Sequence, residues 1–302
     1  MATFKNYLSL VKFSHTIFAM PFALIGFALG FFSIPHSIVP GWDTVIIGPS
    51  EKWWLVQTFI LVILCMVFAR SAAMAFNRYL DRKFDAQNPR TAIREIPKGI
   101  ISASNALMFT IICCVLFVVC CYLLNTAVLL LSPIALFVIL FYSYTKRFTA
   151  LCHLVLGLGL ALAPIGAYLA VTARFDLLPI LFSFTVLFWV SGFDIIYSLQ
   201  DEEFDRSNKL HSIPAAVGKV KALRISEILH LLSAACVIAA GVYGNFGWIY
   251  WIGVAVFVGM LIYQHSIVKP NDLRRVNIAF MTANGIASVV FAVFVIADLF
   301  IL

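Results

Sequence analysis

Nine apolar runs follow one another along this 302-residue chain, near 14–34, 53–74, 104–124, 126–145, 151–172, 177–197, 222–242, 246–267 and 277–300. Each is close to the roughly 20 residues a helix needs to cross a hydrocarbon core. Lipid offers no water to backbone N–H and C=O groups, so only helices or closed barrels span it, and these runs are too long for membrane strands. The expected fold is all-α and integral to the lipid bilayer, a bundle of nine transmembrane helices. Composition agrees, with 63% of residues hydrophobic and 12% charged, against about half and a quarter in soluble domains. No linker or low-complexity stretch interrupts the pattern, so residues 1–302 read as one membrane domain. The first run lacks a small-residue cleavage pattern and is expected to be retained. Ahead of it, Phe4, Tyr7, Leu8 and Val11 share one face of a short helix suited to the interface.

The net charge of +7 has a topological origin. With the N-terminus in the cytoplasm, every Lys and Arg except Lys52 and Arg174 falls at a cytoplasmic segment or span end, as the positive-inside bias requires. No nucleic-acid partner is needed to explain it, and oligomeric state is not legible. The seven Cys lie almost entirely in apolar runs without C-x-x-C spacing, which suits packing better than zinc ligation or disulfides. Six scattered His show no helical pairing and do not read as a metal site.

Acidic residues concentrate in two segments, 77–103 and 194–221, separated by four spans. An even number brings both to the same side, where two cytoplasmic loops can cap a central cavity. The first holds Asn77-Arg-Tyr-Leu-Asp81-Arg-Lys-Phe-Asp85 and the second Tyr197-Ser-Leu-Gln-Asp201-Glu-Glu-Phe-Asp205. Their equal offsets suggest a parallel internal duplication. Acids four apart share a helical face and can reach a common metal ion. Asp194, two turns before Asp201, extends the second acidic face inward. Facing carboxylates need cations between them, and oxygen-only ligation favours Mg²⁺, which keeps positions open for phosphate oxygens. Arg78, Arg82, Lys83, Arg90, Arg94 and Lys98 are at hand to hold the rest of a diphosphate. The plainer alternative is a pair of solvated helix ends with intrahelical ion pairs such as Asp81–Lys83 and Arg82–Asp85, and Glu202 and Glu203 read as solvated in either case.

Arg70 lies two turns before Asn77 inside the second run, where an unpaired cation is costly. It is expected to face a polar cavity in preference to simple snorkelling. Gly157, Gly159, Pro164 and Gly166 suit close packing or a kink better than nucleotide binding.

Together these residues resemble the UbiA superfamily of intramembrane prenyltransferases. The first signature is Asn77, Asp81 and Asp85, followed by Asn88-Pro-Arg-Thr91 and Arg94, and the second is Phe193-Asp194, Tyr197, Asp201 and Asp205. Tyr144-Thr-Lys146-Arg147 and Leu156-Gly157 through Pro164 match as well, while Lys12-Phe-Ser-His-Thr16 and the second signature look closest to the 4-hydroxybenzoate polyprenyltransferase-like bacterial branch. The resemblance implies an enzyme of the bacterial inner membrane that moves a prenyl group from an allylic polyprenyl diphosphate to an aromatic acid. The product would be a ubiquinone or menaquinone precursor, and a naphthoate-type acceptor is the alternative to 4-hydroxybenzoate. By the same resemblance Asn77, Asp81, Asp85, Asp201 and Asp205 hold Mg²⁺ and its diphosphate. Asp194 lies near the acceptor or a second metal, and Lys146 and Arg147 contact phosphate. Asp81, Asp194, Asp201 and Lys146 are the expected catalytic residues, with Asn77, Arg78, Arg94, Arg70, Arg147 and Tyr197 binding substrate. An ion-coupled transporter would place its acids near the midplane instead, and a lipid phosphotransferase lacks its Asp-Gly-x-x-Ala-Arg pattern here.

Overall fold

Each apolar run closes its backbone hydrogen bonds within itself, and in the computed structural model, which describes residues 3–12, 18–33 and 49–301, helix follows helix. The order is α1 (Phe4–Leu10), α2 (Met20–Ser33), α3 (Pro49–Gln87), α4 (Ala103–Leu124), α5 (Thr126–Thr145), α6 (Cys152–Thr172), α7 (Leu177–Ser198), α8 (Glu202–Ser207), α9 (Ile213–Tyr243), α10 (Trp248–Ile267) and α11 (Asn284–Ile301). A 3₁₀ turn, Leu199–Asp201, joins α7 to α8, and a π-helical segment, Ile278–Ala283, leads into α11.

Among the described residues, eight helices are long and apolar enough to cross a membrane. The expected first span appears as the shorter apolar α2, of 14 residues. Residues 14–17 and 34 of that run lie outside the described residues, as do His15, His36 and most of the Lys12–Thr16 motif.

Polar side chains stop and start the helices where the apolar runs end. Ser102 Oγ accepts from Asn105 N–H at 3.1 Å to cap α4. Asn125 Oδ1 accepts from Val128 N–H at 3.0 Å to cap α5, while its amide donates to the carbonyls of Leu169 and Ala170 on α6. Such caps satisfy the first orphan N–H groups of a helix. Asp298 of α11 does this from a distance, accepting from Gly247 N–H at 2.7 Å and Tyr250 N–H at 3.1 Å at the start of α10.

Two close approaches set the centre of the bundle. A Cβ on Gly26 would sit 2.0 Å from the Pro164 carbonyl oxygen, and one on Gly157 would sit 2.5 Å from the Leu187 carbonyl oxygen. Glycine therefore brings α2 onto α6 and α6 onto α7, the close helix packing that small residues permit in lipid. Around these contacts Phe22, Phe182, Trp189, Tyr250, Phe257 and Phe291 form a buried aromatic core.

Three sequence expectations change. The second apolar run ends near 74, but α3 runs from Pro49 to Gln87, 39 residues or about 58 Å at the helical rise, because no Gly or Pro lies between 74 and 87 to break it. It carries the first acidic cluster well beyond one hydrocarbon thickness. The apolar residues of the N-terminal helix do not share one environment. Leu10 is buried against α3 and α4, Val11 is buried, Tyr7 packs on Phe109, and Leu8 is exposed. The second cluster is not one helix either, since the chain tightens through Leu199–Asp201 before α8 begins.

Candidate active site

The two acidic clusters meet. Asp81 and Asp85 on the last turns of α3, and Asp194, Asp201 and Asp205 on α7, the 3₁₀ turn and α8, line one cavity of about 560 Å³. Asn77, Arg78, Arg90, Arg94, Arg70, Lys146, Arg147 and Tyr197 line it too, whereas Arg82, Lys83 and Lys98, also expected beside the diphosphate, do not.

Four carboxylates are each matched by one basic side chain from another element. Arg147 Nη2 lies 2.9 Å from Asp81 Oδ1, Arg94 Nη1 2.6 Å from Asp85 Oδ1, and Lys146 Nζ 2.8 Å from Asp205 Oδ1, while Arg90 grips Asp201 through two N–H groups. The intrahelical pairs Asp81–Lys83 and Arg82–Asp85 do not form; Arg82 turns back to the Tyr79 carbonyl. The solvated-end account also fails for Glu202, which is buried between Arg206 and Lys219, although Glu203 is exposed.

Other polar groups orient the acids. Asn77 Nδ2 donates to Asp81 Oδ2 at 3.1 Å, Asn88 Nδ2 to Asp201 Oδ1 at 3.2 Å, and Ser212 Oγ to Asp205 Oδ2 at 2.8 Å. Arg90 also donates to the Tyr197 hydroxyl at 3.0 Å, and Tyr197 stacks on Phe280 with centroids 4.2 Å apart. Burial favours the neutral amine of Lys146, but its contacts with Asp205 outweigh that and hold the ammonium above its ordinary range. Arg90 behaves alike: burial opposes its charge, and Asp201 and Tyr197 raise it. These sites bind anions without losing their own charge.

Some capacity is left unspent. Asp85 Oδ2, Arg70 Nε and Arg78 Nε are buried and make no hydrogen bond, a costly state unless a ligand completes it. Among the described residues no three of His, Cys, Asp and Glu gather closely enough to hold a metal ion by themselves, so the expected shared cage is not preassembled. The residues expected to hold the metal, Asn77, Asp81, Asp85, Asp201 and Asp205, offer oxygens, and Asp85 Oδ2 is buried and unpartnered, which suits Mg²⁺ completed by phosphate oxygens.

Sequence reasoning missed His153. It is buried on the first turn of α6, and its Nδ1 lies 2.6 Å from Asp194 Oδ2. The only sequence signal was its place seven residues after Lys146. His230 and His265 also pair, 2.9 Å apart between α9 and α10, away from the cavity.

The polar cavity adjoins an apolar one of about 290 Å³ between α3, α4, α5 and α6. Arg70, Met74, Tyr142, Leu156 and Leu160 border both. Beyond them the walls are aliphatic and small, with Gly159, Ala163, Gly166 and Ala167 on the α6 side.

The sequence profile of the UbiA prenyltransferase family matches residues 19–286. The chain belongs to that family. As a UbiA protein it is a prenyltransferase, and its relatives agree in length and fold. The 4-hydroxybenzoate octaprenyltransferase of Nitrosospira multiformis is 28% identical over 233 residues, 77% of this chain and 80% of that one. The enzyme of the same name from Aliivibrio fischeri is 30% identical over 239 residues, 78% of this chain and 82% of its own. Among solved structures, the apo UbiA homolog from Aeropyrum pernix superposes with a TM-score of 0.76 at 28% identity, covering 95% of this chain and 97% of that one. A UbiA homolog from Archaeoglobus fulgidus bound to DMAPP and Mg²⁺ shares the fold, with a TM-score of 0.73 at 18% identity over 98% of this chain and 100% of its own.

Proposed function

We propose that this UbiA protein transfers a polyprenyl group from an allylic polyprenyl diphosphate to an aromatic acid, 4-hydroxybenzoate, in quinone biosynthesis. The observation that carries this reading is the set of four carboxylates, each held by a cation, in a polar cavity that shares a wall with an apolar one. A diphosphate needs the first and its isoprenoid tail the second. The names of the relatives, 4-hydroxybenzoate octaprenyltransferases, support the acceptor.

Asn77, Asp81, Asp85, Asp201 and Asp205 are assigned to Mg²⁺. When bound there, Mg²⁺ supplies positive charge to the diphosphate leaving group as the allylic C–O bond breaks. Arg147, Arg94, Arg90 and Lys146 then exchange carboxylate oxygens for phosphate oxygens, so the cations that hold the site together also stabilise charge developing on the leaving group. Arg78, buried beside them with a free Nε, adds a further donor. Asp81, Asp201 and Lys146 act on the diphosphate side and Asp194 on the acceptor side. Tyr197, on its stacked wall, shapes the space between. Arg70, unpaired at the border of the two cavities, receives the acceptor carboxylate. The apolar helices keep water from the allylic cation until the ring carbon attacks.

Residues 1–302 form one such domain. Its ninth crossing includes α2, its N-terminus and capping loops face the cytoplasm, and it sits in the bacterial inner membrane. The bias of Lys and Arg toward the cavity side supports this orientation.

The test is a radiolabelled prenyl-diphosphate assay on purified protein, with and without Mg²⁺, offering 4-hydroxybenzoate and a naphthalene-type acid. Magnesium-dependent labelling of 4-hydroxybenzoate is expected. Labelling of the naphthoate alone would move the acceptor to menaquinone synthesis, and no labelling of either by protein that binds the diphosphate would overturn the reading.

A further inference from the structure

His153 lies within the bundle with one ring nitrogen on each side of the site's architecture. Nδ1 is 2.6 Å from Asp194 Oδ2, and Nε2 accepts the backbone N–H of Ile213 at 3.3 Å. A backbone N–H only donates, so Nε2 supplies its lone pair and the ring proton resides on Nδ1. In this arrangement the Nδ1 proton is directed at Asp194 and no lone pair is left for substrate. The imidazole cannot itself serve as a base.

Ile213 is the first residue of α9, and the neighbouring Ser212 donates to Asp205 Oδ2 at 2.8 Å. His211 N–H donates to the Lys146 carbonyl at 2.7 Å. One short turn, 211–213, therefore fixes both Asp205, on the diphosphate side, and the tautomer of His153. Ser191 Oγ adds a hydrogen bond to the His153 carbonyl at 3.1 Å, tying the start of α6 to α7 three residues before Asp194.

We propose, on the prenyl-transfer reading above, that His153 is a positioning residue: fixed by the Ile213 N–H, it donates to Asp194 Oδ2 and leaves Oδ1 to take the acceptor's hydroxyl proton. The deprotonated acceptor then forms a C–C bond from the ring carbon ortho to that oxygen to C1 of the prenyl chain. The C1–O bond breaks with its electron pair on the diphosphate. The ring proton at the new bond passes to a diphosphate oxygen, and Asp194 returns its proton to the product's phenolate. Histidine gains and loses nothing. Its contribution is the orientation of Asp194, the kind of preorganisation on which proton transfer depends.

The test compares His153→Leu, which has neither hydrogen bond, with His153→Gln, whose amide can donate to Asp194 and accept from Ile213. Transfer to 4-hydroxybenzoate is measured beside the dissociation constant of prenyl diphosphate with Mg²⁺. In His153→Leu, kcat should fall about 100-fold, at the lower end of general acid–base contributions, with diphosphate affinity unchanged. His153→Gln should recover most of it. In an Asp194→Asn background the Leu substitution should cost little more, because both act through one group. Losses that simply add, a Gln variant as poor as Leu, or diphosphate binding lost with turnover would make His153 a structural residue and overturn the proposal. Undiminished turnover in His153→Leu would do the same. No transfer by the unaltered protein would instead sink the prenyl-transfer reading, a distinguishable failure.

Discussion

Lys146 Nζ lies 2.8 Å from Asp205 Oδ1, joining the end of α5 to α8 across 59 positions of sequence, and the Asp205 side chain is completely buried. Within a membrane bundle such a pair serves two ends: it neutralises a buried carboxylate, and it stores a cation beside the site where a diphosphate is expected. Removing one partner leaves the other buried and unmatched. Lys146→Met should therefore lower stability by about 2 kcal/mol, within the cost of an unsatisfied buried charged group, and should also weaken prenyl-diphosphate binding. Lys146→Met combined with Asp205→Asn should regain stability but not activity. Thermal unfolding in detergent beside the transfer assay separates these effects.

Asp81 and Asp201 come from opposite halves of the chain and line the same cavity. Asp81→Asn and Asp201→Asn should each reduce turnover by about 10³-fold or more, as expected when a charge-stabilising metal worth several kcal/mol is lost, with the helical circular dichroism signal unchanged. Full activity in both would remove them from the mechanism.

Arg70 borders both cavities with its Nε unpaired. Arg70→Met should raise the acceptor KM by roughly 10- to 100-fold, the worth of a charged hydrogen bond, and leave the prenyl-diphosphate KM nearly unchanged. Steady-state kinetics with each substrate varied in turn decides it. An acceptor amide in place of the acid should lose the same factor against the native protein and little against the variant.

No three metal-binding side chains gather in advance among the described residues, so metal and diphosphate should bind as a unit. A prenyl diphosphate at about 100 times its dissociation constant should stabilise the fold by about 2.7 kcal/mol when Mg²⁺ is present. Chelation should abolish that shift in melting temperature.

Gly166 lines the apolar cavity, and nothing lies within 4 Å of where its Cβ would be. Gly166→Phe should fold and fill part of the tail space. Its kcat/KM for a long prenyl diphosphate should fall about tenfold or more, in line with the 1–3 kcal/mol a hydrophobic pocket gains or loses per methylene-scale change, while a short diphosphate is spared. A chain-length series measures the shift.

The helices were legible because their signal is local. Runs 104–124, 126–145 and 151–172 reappear almost unchanged as α4, α5 and α6, since an apolar stretch of that length has one way to satisfy its backbone in lipid. The extension of α3 and the 3₁₀ turn at Leu199–Asp201 were missed because apolar runs mark where lipid ends, not where a helix ends. The acidic clusters were legible because carboxylates in so apolar a chain need a reason.

Sequence alone thus determined the class of fold and the meeting of the two acidic clusters on one side, which follow from residue type, spacing and an even count of spans. Only the tertiary structure decided the partners. Arg147 answers Asp81, Arg94 answers Asp85, Arg90 answers Asp201 and Lys146 answers Asp205, whereas spacing had suggested neighbours on one helix. It also turned His153 from a scattered imidazole into the partner of Asp194. The physical reason is that an ion pair is chosen by distance and burial together, and both are set by how α3, α6, α7 and α9 pack against one another.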